Sequence, residues 1–185
     1  MRIISGIYKG RRLRSSDDLS IRPTMDRVKE DIFNILQDFP VGKSVIDLFA
    51  GSGNLGLEAL SRGAEKIYFV EKAPSSIKIL TSNLEHLKIS PNQNEIIRND
   101  AINFAKSTNL SVDLCLMDPP FVYPPIQELV DTLFSRNVIS QTGILVLEHE
   151  TTNPILMESL NYNILKQKRV GRSLLSFLEK RKNNE

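Results

Sequence analysis

Tryptophan is absent from this 185-residue sequence, cysteine occurs once, and there are only two histidines, His86 and His149. One cysteine excludes a disulfide scaffold. Cys115 sits in the apolar run Val112 to Met117, where a buried, inert thiol is expected rather than a nucleophile or metal ligand. Two histidines so far apart suggest no metal site. No apolar run approaches the roughly 20 residues that span a bilayer, and the opening Met1-Arg-Ile-Ile-Ser-Gly lacks the apolar core of a signal peptide, so a cytoplasmic protein is expected. No internal repeat or low-complexity linker interrupts the chain, which reads as one domain over 1–185, with a basic segment and helix (1–40) preceding a core (41–185). Hydrophobic residues at 41% and charged residues at 25% fit a packed globular protein and exclude disorder.

The net charge of +2 conceals an uneven distribution. Residues 1–30 carry 8 lysines and arginines against 4 acidic residues, and residues 161–185 carry 7 against 2, while the middle carries 9 against 16. Basic ends around an acidic middle point to a polyanionic substrate rather than to an evenly solvated surface. Arg2, Lys9, Arg11, Arg12 and Arg14, with no acidic residue among them, are the candidate nucleic-acid contacts.

From Lys43 onward, short β-branched apolar runs alternate with helical patterns, as in a parallel sheet covered on both faces. Strands are predicted at Ser44 to Phe49, Lys66 to Val70, Glu95 to Arg98, Val112 to Met117 and Gly143 to Leu147. Two further runs, Asn163 to Val170 and Leu174 to Leu178, would complete the sheet as a hairpin around Gly171. The clearest helix spans about Pro74 to Leu87, where Ile77, Leu80, Leu84 and Leu87 recur three or four apart. An earlier helix, capped by Thr24, would carry Val28, Ile32, Ile35, Leu36 and Phe39 as one stripe and end near Pro40 and Gly42. Ahead of it, Met1 to Leu13 reads as an extended segment turning at Gly10.

The first strand runs into Asp47-Leu-Phe-Ala-Gly51-Ser-Gly53-Asn-Leu-Gly56, followed by a helix-forming run. Glycines let the backbone turn tightly and approach a ligand, while the helix start offers free N–H groups. Glu71 ends the next strand, 20 residues after Gly51, where a carboxylate can accept both hydroxyls of a ribose. A dinucleotide-binding oxidoreductase using NAD shows the same pattern, so the loop alone indicates adenosine and no more. Asp47 discriminates: a carboxylate at the first strand's end can pair with the amino group of a methionine moiety, but would repel a pyrophosphate. The bland alternative for Asp47 is a loop cap. Asp100, beside Ala101, could accept from an adenine amino group or cap the next helix.

The fourth strand ends in Asp118-Pro119-Pro120-Phe121 at the carboxyl edge, where open α/β sheets bind ligands. Consecutive prolines remove two N–H donors and hold the chain extended, leaving carbonyls available. An exocyclic amino group on a base is a poor nucleophile because its lone pair is delocalised. If the Asp118 carboxylate and the Pro119 carbonyl each accept one of its N–H bonds, the nitrogen turns tetrahedral and its lone pair is directed outward. Phe121 would stack on the base. Asp118, Pro119 and Phe121 are therefore the catalytic candidates.

Over nearly its whole length the sequence resembles the RsmD family of 16S ribosomal RNA guanine-N2 methyltransferases. The likeness rests on Arg2-Ile-Ile-Ser-Gly-Ile-Tyr-Lys-Gly-Arg-Arg-Leu13, Arg22-Pro-Thr-Met-Asp-Arg-Val-Lys-Glu30, Asp47-Leu-Phe-Ala-Gly-Ser-Gly53 and Asp118-Pro-Pro-Phe121. It implies an α/β fold of the Rossmann-like class I methyltransferase type, with a mostly parallel seven-stranded sheet, helices on both faces, and a short N-terminal hairpin segment and helix. It further implies S-adenosyl-L-methionine as cofactor and one guanine of small-subunit ribosomal RNA as substrate, with a monomer expected. By position, Gly51, Gly53, Glu71 and Asp100 would bind the cofactor, joined by Asp47, Phe49 and Ala101, and Arg22, Pro23 and Thr24 would lie over it. Two departures concern RNA contact: Ser15 to Ser20 are polar where relatives carry a proline turn, and Val170 stands where an aromatic residue often precedes the glycine. Asp-Pro-Pro-aromatic turns also serve DNA adenine methylation, and related Asn-Pro-Pro-Tyr turns serve protein glutamine methylation. A non-catalytic RNA-binding scaffold is the remaining alternative.

Overall fold

The computed structural model describes residues 1–15, 23–120, 123–152, 155 and 159–181, and only the backbone of residues 23–25. Helix α1 (Pro23–Leu36) leads into strand β1 (Ser44–Leu48), helix α2 (Asn54–Ser61), strand β2 (Lys66–Glu71) and helix α3 (Pro74–Leu87). Strand β3 (Asn94–Arg98), helix α4 (Ala101–Ser107), strand β4 (Val112–Met117) and helix α5 (Ile126–Ser135) continue the alternation. Three long strands close the chain, β5 (Ile139–Glu150), β6 (Tyr162–Val170) and β7 (Ser173–Lys180).

The seven strands form one sheet in the order β3-β2-β1-β4-β5-β7-β6. β1 to β5 are mutually parallel, and β7 runs antiparallel to both of its neighbours. The chain winds outward from β1 to β3 on one side and from β4 to β5 on the other. The order therefore reverses between β1 and β4, which opens a crevice at their carboxyl ends. Alternation along each strand separates two cores. Val45, Ile67, Phe69, Leu114 and Leu116 pack with α1, α2 and α3, whereas Ile46, Leu48, Cys115 and Met117 pack with α4 and α5. Cys115 is fully buried, and burial pushes its thiol pKa up, as expected for an inert core residue.

Several sequence expectations need correction at their edges. α1 begins at Pro23, so Thr24 lies in its first turn and is not its cap; proline's fixed φ suits the first helical position. α1 also ends at Leu36, because Gln37 takes a left-handed φ of 50°, and Phe39 reaches the same core from a turn. β5 is longer than predicted: its polar stretch Ser140 to Thr142 hid a strand whose register with β4 shifts between Val112 and Leu114. The hairpin around Gly171 is present, with Val170 opposite Ser173. The amino-terminal segment doubles back at Gly10, and a single antiparallel bridge joins Arg2 to Arg12.

Candidate functional site

A cleft of about 850 Å³ opens along the carboxyl edge of the sheet. It runs from the glycine loop past Glu71 and Asp100 to Asp118, and is therefore continuous across the switch point. Of the sequence-predicted residues it brings together Asp47, Phe49, Gly51, Glu71, Asp100, Ala101, Asp118 and Pro119. Arg22, the Thr24 side chain and Phe121 lie outside the described residues, as do Ser16 to Ser20.

The glycine loop is shaped by close packing. Gly53 has a φ of +83°, and a Cβ there would lie 2.5 Å from Leu80 Cδ1, which accounts for glycine on both grounds. Gly56 lies inside α2 with ordinary helical backbone, yet a Cβ would meet Phe69 Cε1 at 2.5 Å and Asp47 Oδ2 at 3.0 Å. Asp47 Oδ2 accepts the Gly56 N–H at 2.8 Å. Asp47 is 2% exposed, and burial, followed by the charges of Asp118 and Glu71, pushes its carboxyl up to about 8. The loop-capping role left open by the sequence is thus real, and the residue also lines the cleft.

This sharpens the electrostatic argument. A carboxyl titrating near 8 is mostly neutral at pH 7, so its repulsion of a pyrophosphate is weaker than the sequence suggested. A cationic ligand group would instead draw out the ionised form, gaining an ion pair that an anion cannot.

Glu71 and Asp100, the next two carboxylates along the cleft, are held by main-chain donors. Glu71 Oε2 accepts from Gly51 N at 2.9 Å, and its Oε1 accepts from Lys72 N at 2.9 Å and Ala73 N at 2.8 Å. Carboxylates offer about four acceptor positions, so Glu71 keeps one on Oε2 for a ligand hydroxyl. Asp100 Oδ1 caps α4 through Ile102 N at 3.2 Å, and its Oδ2 pairs with Lys72 Nζ at 3.3 Å. Phe49 closes this end of the cleft with a left-handed φ of 70° and its ring edge-on to Tyr123 at 4.9 Å.

Asp118 differs from all three. Among the described residues it accepts no hydrogen bond, and its surface opens to the cleft. Crowding by the cleft walls and then the charge of Glu148 raise its pKa above the ordinary carboxylate range. The Pro119 carbonyl likewise receives no main-chain N–H among the described residues. An amino group entering here would meet acceptors with unused capacity.

Sequence reasoning missed Glu148, Arg172 and Ser173, which line the cleft from β5, the β6–β7 turn and the start of β7. No motif marks them, since only strand pairing carries these distant segments to the cleft. The predicted RNA contacts Arg2, Lys9, Arg11, Arg12 and Arg14 are all exposed. Two are partly committed, Arg2 to Asp26 at 3.7 Å and Arg14 to Ser82 Oγ at 2.9 Å.

The family model described as Conserved hypothetical protein 95 matches residues 1–179. The chain is 35% identical over 173 residues to Ribosomal RNA small subunit methyltransferase D of Haemophilus influenzae, covering 92% of this chain and 89% of that one. Among solved structures, yhhF of Escherichia coli, provisionally described as a methyltransferase, superposes with a TM-score of 0.86 at 29% identity over 97% of both chains. SMU.776, solved in complex with SAH, shares the fold alone: its TM-score is 0.71 at 14% identity, over 85% of this chain and 50% of that one. The sheet order and these neighbours make this a Rossmann-like methyltransferase fold.

Proposed function

Since the chain belongs to the RsmD family, we propose that it methylates the N2 amino group of one guanine in 16S ribosomal RNA, using S-adenosyl-L-methionine. The observation that carries this reading is the pair of unused acceptors, Asp118 and the Pro119 carbonyl, at the switch point of a methyltransferase sheet. The cofactor fits the donor set: a buried carboxyl, Asp47, for the ammonium group, Glu71 for the ribose and Asp100 for the adenine amino group. When bound, it supplies an electrophilic methyl on a sulfonium. Asp118 and Pro119 then accept the two N–H bonds of the guanine amino group, and its lone pair faces the methyl donor. Asp118, whose pKa is raised by crowding and by Glu148, takes up the proton that the nitrogen loses on methylation. Phe121, adjacent in sequence, supplies the stacking face. Lys9, Arg11 and Arg12 contact RNA phosphates, and the protein acts as a single-domain cytoplasmic monomer on the small subunit.

The test is transfer of labelled methyl from S-adenosylmethionine to 30S subunits, naked ribosomal RNA, DNA and protein, followed by nucleoside analysis. N2-methylguanosine in ribosomal RNA is the expected product. Methyladenine in DNA or methylglutamine in protein would replace the reading. Asp118→Ala should abolish transfer while leaving S-adenosylhomocysteine binding intact. An active Asp118→Ala protein would remove Asp118 from the chemistry.

A further inference from the structure

We propose that Glu148 accepts the N1–H of the target guanine and thereby selects guanine over bases that carry a lone pair at N1. This deepens the reading above and rests on it. β4 and β5 pair in parallel with Met117 opposite Leu147, so Asp118 and Glu148 follow as neighbours at the same sheet edge. Both line the main cleft, and both line a small recess beside it with Pro119, Pro120 and Tyr123.

Among the described residues Glu148 has one hydrogen-bond partner, Ser173, and no cation to balance its charge. It is half-buried, and among the described residues no ion pair involves it. Burial raises its pKa, and a hydrogen bond with Ser173 returns only part of that rise. A second carboxylate beside Asp118 opposes ionisation of the first, and the Ser173 hydrogen bond compensates only in part. Such placements accumulate at functional sites.

The chemistry of the base supplies the compensation. Guanine presents adjacent donors on one edge, N1–H and the N2 amino group, whereas adenine presents a lone pair at N1. Two neighbouring carboxylates match the first pattern, and the second carboxylate opposes the other through lone-pair repulsion. Asp118 with Pro119 takes the reacting amino group, and Glu148 takes N1–H, which fixes the ring in its plane.

The experiment compares guanine with 2-aminopurine at the mapped target position of otherwise identical ribosomal RNA. 2-Aminopurine retains the amino group at C2 but carries a lone pair at N1. Wild-type protein should prefer guanine by about 100-fold or more in kcat/KM, as sites built around a hydrogen bond do. In Glu148→Gln the amide can accept guanine N1–H only through an uncharged oxygen and can turn its NH2 to a bare N1, so guanine should lose the charged acceptor while 2-aminopurine gains a donor, moving the ratio toward one. S-adenosylhomocysteine affinity should not change. Equal loss on both substrates, or an unshifted ratio, would overturn the assignment. So would a wild-type protein that accepts 2-aminopurine as readily as guanine, a result that needs no variant to fold. If wild type methylates no ribosomal RNA guanine at all, the proposed function itself falls, an outcome separate from an unshifted ratio.

Discussion

Replacing Asp47 by asparagine should stabilise the protein at alkaline pH and cost it cofactor affinity. Asparagine keeps an oxygen for the Gly56 N–H, 2.8 Å away in the wild type, and removes only the ionisable group. The Asp47 carboxyl rises from 3.8 in its ordinary state to about 8 in the fold, with burial the largest cause. Between those values the unfolded chain has released its proton and the folded chain holds it, so wild-type stability falls as pH rises. Below the unfolded value both states are protonated, and the variant has no advantage. A rise of roughly four units at about 1.4 kcal/mol each sets a ceiling near 6 kcal/mol. Local relaxation and water entry reduce such penalties, so about 2–5 kcal/mol is expected at pH 8–9. Denaturant unfolding of both proteins from pH 5 to 9 gives the difference curve, in which titrating groups remote from Asp47 cancel. It should climb by up to about 1.4 kcal/mol per pH unit and level off near pH 8. A flat curve would show that Asp47 is already ionised in the folded protein. In parallel, wild type should bind S-adenosylhomocysteine more tightly as pH rises from 6 to 8, because its ammonium needs the carboxylate, and Asp47→Asn should lose that dependence.

Gly56→Ala should destabilise the fold by about 1–3 kcal/mol through overpacking against Phe69 and Asp47, although alanine favours helix; thermal unfolding within 0.5 kcal/mol of wild type would contradict the clash. Arg11→Glu with Arg12→Glu should weaken RNA binding and flatten its dependence on log salt by roughly one unit per lost phosphate contact. An unchanged slope would assign both arginines to ordinary surface.

Local chemistry made most of the core legible. Apolar runs located the five parallel strands, the hairpin strands being read around Gly171, and Pro74 with its stripe gave the bounds of α3. Errors arose where two local rules competed or where polarity masked pairing. Thr24 and Pro23 each suit a helix start, and proline took the first position. Phe39 continued the apolar stripe because it reaches the same core, but from beyond the left-handed Gln37. Motif residues fell on the cleft because strand ends and glycine turns determine where they point. Glu148, in contrast, belongs to no motif, and only the β4–β5 register reveals it as Asp118's neighbour.

What no pattern could show is how the basic segment is joined to the glycine loop. Lys29, fully buried, donates to the Arg2 carbonyl at 2.6 Å and to Asn54 Oδ1 at 2.8 Å, and pairs with Glu58 at 3.4 Å. Glu58 in turn accepts from Ile4 N at 2.8 Å and Ser5 N at 3.0 Å. Asn83, also fully buried, receives Arg14 N at 2.8 Å while donating to the Ser52 carbonyl at 2.9 Å. Asn54 and Ser52 both line the cleft. The segment that presents Lys9, Arg11 and Arg12 is therefore bonded, through two buried side chains, to residues that line the cleft beside the glycine loop. Burial makes these bonds costly to break, since each would leave a polar group unsatisfied. The segment is consequently part of the scaffold that sets the cleft's geometry. RNA phosphates held by its arginines would be positioned against Asp118 by the same frame that shapes the glycine loop.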